Sequence, residues 1–310
     1  MQDPAALYRL ETDVDLSEAS APVLVVALAG FLDAGSTQRL LVQHLMATLD
    51  HRVVATFDID QLLDYRGRRP MMTFDRDHWS DYDDPSLALY RFVDGAGTSF
   101  LLLAGPEPDY QWERTVAAVT DLSDRLGVKL TATAHGIPMA VPHTRPVEMS
   151  FHSTDEERRR SHRSVIGRVG VPGSLVGLLG LRLGELGRHA LGYAVHVPHY
   201  LSQTEYPTAS VAVLEALAKE TGLTFPDSAL RLAAAETMRA VETELAGSDE
   251  AAQVVRTLEA QYDERHESGA AQGLLDGEGG RLPTADQLGA EFEAFLRDRS
   301  GRDPGGGKGF

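Results

Sequence analysis

Residues 23–29 read Val-Leu-Val-Val-Ala-Leu-Ala, an unbroken apolar run that stops at Gly30. Seven apolar residues without alternation describe a strand buried on both faces, and such strands sit in sheets covered by helices on each side. The next segments agree. Residues 34–49 carry Leu41, Leu45 and Leu49 at four-residue spacing, an amphipathic helix, and 53–57 return as a strand, which makes a βαβ opening. Runs at 87–93 and 99–103 flank Asp94-Gly95-Ala96-Gly97, a hairpin signature, so the sheet is expected to be mixed. A helix over about 110–126 leads into a strand over 128–134. A further strand at 193–197 precedes a helix that begins near Pro207 and stops at Gly222.

Beyond Pro226 the pattern turns purely helical, with spacing over 228–246 and 249–266. Residues 268–283 read as a glycine-rich connector, and Thr284 with Gln287 form a capping box ahead of a last helix to about 299. The expected organisation is an α/β domain over 1–225, a helical subdomain over 226–299 and a disordered tail over 300–310.

Charge and composition narrow the function. A net charge of −17 opposes nucleic-acid binding, since phosphate repulsion has to be overcome locally. Cysteine is absent, which rules out disulfides and thiolate metal sites and fits a reducing cytoplasm. The longest uncharged apolar stretch, 169–181, is too short to span a bilayer, and the acidic residues among the first 22 are wrong for a signal peptide. A soluble cytoplasmic protein is expected. The one compact basic run, Arg158 to Arg160, follows Asp155, Glu156 and Glu157 and reads as a self-neutralising surface segment.

Candidate chemistry gathers after three inferred strands. The stretch 135–146, His-Gly-Ile-Pro-Met-Ala-Val-Pro-His-Thr-Arg-Pro, has three prolines and a glycine in twelve residues and cannot be helical. It carries His135, His143 and Arg145. His196 and His199 follow another strand, and Asp33 and Ser36 follow the first. If these strands are parallel neighbours, the residues converge in one crevice at their C-terminal ends, where an arginine with histidines suits a phosphate or carboxylate. No activated nucleophile accompanies them, so no catalytic residue is assigned. Residues 30–37 (Gly-Phe-Leu-Asp-Ala-Gly-Ser-Thr) nearly spell a phosphate loop but lack its lysine and place Asp33 inside it. Triphosphate binding is therefore not expected, and Asp33 reads as a helix cap. His196 and His199 have no third metal ligand at suitable spacing, and the aspartates of 75–84 do not match a calcium loop, so no metal or cofactor is assigned and 75–84 reads as an acidic loop. Gly173, Gly177, Gly180, Gly184 and Gly187 recur at spacings that put them on one face of a helix. They suit either a subunit interface or close internal packing.

The ordered set Gly30 to Gly35, Asp64-Tyr65-Arg66 with Arg68-Arg69-Pro70, Gly136 to Met139 running on through Pro142 to Pro146, Gly170 to Gly173 and Val197 to Tyr200 resembles the PAC2 (proteasome assembly chaperone 2-like) family, particularly its actinobacterial type. The resemblance covers most of 20–225. It implies a three-layer α/β/α domain with a mixed sheet similar to nucleoside phosphorylases, a homo-oligomer of trimeric type, and a role in assembling other proteins, with proteasome subunits as the family's known partners. The C-terminal hydrophobic-Tyr-any tripeptide of some archaeal relatives is not spelled by Lys308-Gly309-Phe310. Two readings follow: a non-enzymatic binding or assembly protein, or an enzyme or small-molecule sensor using the strand-end crevice.

Overall fold

A computed structural model describes residues 2–162 and 167–267. The inferred connector, final helix and tail, all after 267, lie outside the described residues. The chain divides into one compact unit of Met1–Arg163 with Gly173–Ala270 and a second of Ser164–Pro172 with Ala271–Phe310. Ten strands are described: β1 (Tyr8–Leu10), β2 (Val23–Ala29), β3 (His51–Phe57), β4 (Met72–Asp75), β5 (His78–Tyr82), β6 (Ala88–Val93), β7 (Ser99–Pro106), β8 (Leu130–Met139), β9 (Met149–Ser153) and β10 (His189–Pro198). The α-helices among them are α1 (Leu16–Ala19), α2 (Thr37–Thr48), α3 (Trp112–Arg125), α4 (Glu156–Ser161), α5 (Leu175–Glu185), α6 (Pro207–Thr221), α7 (Ser228–Ala246) and α8 (Asp249–Glu267).

Eight strands form one mixed sheet in the order β1-β3-β6-β7-β2-β8-β10-β9. Its centre, β7-β2-β8-β10, is parallel; the flanking pairs are antiparallel. The β2 residues show why this sheet needs two covers. Val23, Val25 and Ala27 enter one hydrophobic core with α2, α6 and α7, while Leu24, Val26 and Leu28 enter a second with α3 and α5. Burying both faces of such a strand is worth roughly 1.5–3 kcal/mol per large side chain, and it fixes the three-layer α/β/α architecture.

Several boundaries depart from the sequence reading. The strand inferred at 128–134 extends through Pro138 to Met139, so His135 lies inside β8, and the 193–197 strand extends over 189–198, enclosing His196. A proline is tolerated at 138 because β8 pairs with β2 only as far as Thr133; beyond it, that side of β8 carries no ladder. The acidic 75–84 segment is a β4–β5 hairpin, not a loop. The glycine helix is shorter than its glycine spacing suggested: α5 holds Gly177, Gly180 and Gly184, whereas Gly173 precedes it and Gly187 follows it at φ +68°. Strand β3, placed next to β2 by a simple βαβ reading, is separated from it by β6 and β7.

Candidate functional site

Three neighbouring parallel strands, β2, β8 and β10, end on the same side of the sheet, and the loops after them meet there. Where β8 parts from β2 after Thr133, a gap opens, and the chain's own 30–36 loop fills it. Gly35 N–H donates to Ser202 O and Tyr206 N–H to Gly35 O, both at 2.9 Å, stitching this loop to the exit of β10. Gly136 is required on the other side, because a Cβ there would collide with Ala34 O and Thr37 Oγ1. Asp33 caps α2: its carboxylate accepts from Gln38 N–H at 2.8 Å and Arg39 N–H at 3.1 Å. Burial nonetheless pushes the Asp33 pKa up, against the lowering effect of these amides and of Gly136. The helix N-terminal amides that would hold a phosphate are thus already bonded to a carboxylate of the chain. Ser36 sits at the start of α2 in the left-handed region and makes no side-chain cap.

The remaining candidates divide by the face they occupy. In the strand register His135, Ala194 and Ser150 lie side by side, as do Thr133, Gly192 and His152, with His196 next along β10. This puts three histidines on one face of the sheet's β8-β10-β9 end. Small residues make room for them, since a Cβ at Gly192 would strike the His152 ring. Burial holds His135 down at about 4, with His152 adding to the effect, and burial likewise lowers His152. His196, 1 % exposed, is also held at about 4, chiefly by burial and then by Arg265; its Nε2 meets Ser150 Oγ at 2.8 Å. All three are neutral at neutral pH. His152 was missed by sequence reasoning, because it stands alone in an edge strand with no motif around it.

His143 and Arg145 lie in the loop between β8 and β9. His143 is buried, its Nδ1 2.6 Å from the Tyr200 hydroxyl, which also accepts its backbone N–H at 3.0 Å. Burial lowers His143 and pushes Tyr200 up to about 12. Arg145 donates from Nε and Nη2 to the two carboxylate oxygens of Asp263 at 2.8 and 2.6 Å, and from Nη1 to Glu259 at 3.2 Å, both on α8. His199, at the exposed surface after β10, packs its ring 5.4 Å from Tyr200. The structure therefore brings Asp33 with the β8 strand end, His135 with His152, and His143 with Tyr200 and His199, while Arg145 is taken up by α8. Sequence reasoning also missed Glu107, buried at the end of β7, whose Oε1 accepts from Leu175 N–H at 2.6 Å and starts α5. Among the described residues no group of three or more His, Asp and Glu side chains is arranged to hold a metal ion.

The glycine face is different in kind. Leu175, Leu179 and Leu183 of α5 point into the core beside α3; Gly177 and Gly184 are exposed, the latter against Thr154, Gly180 is half-buried, and Leu181 is 58 % exposed, with Leu186, just past the helix, 60 % exposed. A Cβ added at Gly180 meets nothing within 4 Å.

The three-layer α/β/α fold with its mixed eight-stranded sheet defines the class of protein before any name does. The PAC2 family model matches residues 27–245, and the chain belongs to that family. It is similar to the Mycobacterium tuberculosis protein of unknown function Rv2714 (47% identity over 87% of this chain and 92% of that one, TM-score 0.81). It is also similar to a Corynebacterium glutamicum protein of unknown function (37% identity, 85% and 99%, TM-score 0.81). The Mycobacterium tuberculosis proteasome-assembly chaperone homologue Rv2125 shares the fold at 24% identity, covering 75% of this chain and 99% of that one, with a TM-score of 0.69. None of the curated proteins matches this chain.

Proposed function

We propose that this chain is a cytoplasmic, non-enzymatic binding and assembly protein that works as a homotrimer, with proteasome subunits as the partner class carried over from its family. Membership of the PAC2 family and the fold shared with a proteasome-assembly chaperone homologue support the assembly role. Within this reading the 1–225 region is the assembly core and 226–299 a separate helical subdomain. Among the described residues no helix is long and apolar enough to cross a membrane.

The open α5 face carries the reading. Leu181 and Leu186 are large apolar side chains in water, and beside Leu181 the position of Gly180 leaves room for another backbone to come close. The same interaction role suits the β4–β5 hairpin, where Met71, Met72, Phe74, Trp79 and Tyr82 are exposed and the Phe74 and Trp79 rings meet edge-on at 5.0 Å. Such a surface offers contact area rather than chemistry, and it bears no activated nucleophile. Native mass spectrometry of the full chain, alone and mixed with purified proteasome α-subunits, tests both parts. A trimer that takes up α-subunits is expected. A monomer at micromolar concentration overturns the oligomer, and a trimer that ignores α-subunits removes the proteasome from the reading.

A further inference from the structure

We propose that α8 is a displaceable cover over an anion site at the strand C-termini, and that its own carboxylates occupy on Arg145 the place of a small ligand bearing a carboxylate or phosphate. This goes beyond the assembly reading and stands or falls separately from it. The first observation is the clamp. The planar guanidinium of Arg145 is engaged on all its nitrogens by Asp263 and Glu259, which lie one helical turn apart, and Thr144 Oγ1 adds a 2.5 Å bond to the same Glu259 oxygen. A bidentate fork of this kind fits a carboxylate and a phosphate alike.

Second, α8 packs on α7 and on the loop between β8 and β9, apart from the two main hydrophobic cores. Val255, Leu258 and Tyr262 are buried, yet they belong to neither of the two hydrophobic cores that hold the other elements together. The polar contacts run along one loop: Arg145 and Thr144 as above, Tyr262 hydroxyl to Pro146 O at 3.4 Å, and Arg265 and His266 to Glu148 at 3.8 and 3.2 Å. Elements held this way open locally at a lower free energy than the core.

Third, the surface under the cover is polar and incompletely satisfied. His143 Nε2 is buried without a hydrogen-bond partner, and His196 Nδ1 lies 4.0 Å from Glu148 Oε2, an oxygen that Arg265 Nη1 approaches to 3.8 Å, so this pair is held by charge at long range and not by hydrogen bonds. Buried polar groups in a purely structural joint are nearly always paired. Here these loosely held groups lie beside the loop that α8 covers, and Glu259 and Arg265 of α8 act electrostatically on His143 and His196 respectively.

The test compares the full chain with a Glu259→Gln/Asp263→Asn variant and a triple variant adding Arg145→Gln. Hydrogen exchange on the wild type is expected to be at least tenfold faster in 249–267 than in 207–221. The double variant should speed α8 exchange by a further tenfold or more and leave 207–221 unchanged. Calorimetric titration with inorganic phosphate and with citrate should show at least one binding the double variant ten times more tightly than the wild type, and that binding should vanish in the triple variant. Equal protection of α8 and α6 in the wild type, or loss of the whole fold in the double variant, overturns the cover. Failure of both anions to bind the double variant, or binding that survives Arg145→Gln as an adventitious ion only, overturns the site.

Discussion

Two glycine-bearing regions of this molecule behave oppositely in structure. At the strand ends Gly136 is wedged against Ala34 and Thr37, and the charged and aromatic side chains around it are bonded within the chain. On α5, Gly180 faces open space next to the exposed Leu181. One glycine is needed because the chain approaches itself, the other leaves room for something outside. The difference teaches that glycines serve two ends in one chain: Gly136 lets the 30–36 loop press against β8, while at Gly180 nothing of the chain itself comes within reach of a Cβ.

Substitution at the closed glycine should produce the largest effect. Gly136→Ala drives a methyl into Ala34 O and is expected to destabilise the fold by about 3 kcal/mol or more through overpacking, measured by denaturant unfolding. A change below about 0.5 kcal/mol would mean the 30–36 loop is not locked to β8. Asp33→Ala should come next, costing about 1–2 kcal/mol through loss of the α2 cap.

Acid sharpens the same contrast. His135 and His196 have folded pKa values of about 4, below the ordinary histidine value, so between about pH 6.5 and 4 the unfolded chain binds more protons than the folded one. Stability should be flat above about pH 6.5 and fall as pH drops through that window, by up to about 1.4 kcal/mol per pH unit for each fully buried histidine. His196→Gln should shallow this slope, and an unchanged slope would remove His196 from the acid response. The smallest effect belongs to the open glycine: Gly180→Ala should stabilise by about 0.5–1 kcal/mol, the ordinary gain of alanine over glycine inside a helix.

The central sheet was legible because burial on both faces leaves an unmistakable run at 23–29, and the hairpin at 94–97 announced itself by its turn residues. Strands that bury little left no such mark. The three-residue β1 and the wholly exposed β4–β5 hairpin are set by pairing rather than by hydrophobic pattern, and the aspartates of 75–84 hid the second of these. At the candidate site the parallel neighbourhood of β2, β8 and β10 could be posed as a condition from sequence. The fate of Arg145 could not, since its partners Glu259 and Asp263 lie more than 110 residues away on a helix with no local sign of the clamp.

The measurement that reaches the central claim most directly is native mass spectrometry of Gly180→Leu beside the wild type, with circular dichroism as a check on folding. A leucine at 180 has room in the isolated chain, so the fold should survive. If α5 is the assembly face, the wild type is a trimer and Gly180→Leu a folded monomer or a much weakened oligomer. A folded Gly180→Leu that keeps the wild-type oligomer would contradict the account and move the interface elsewhere.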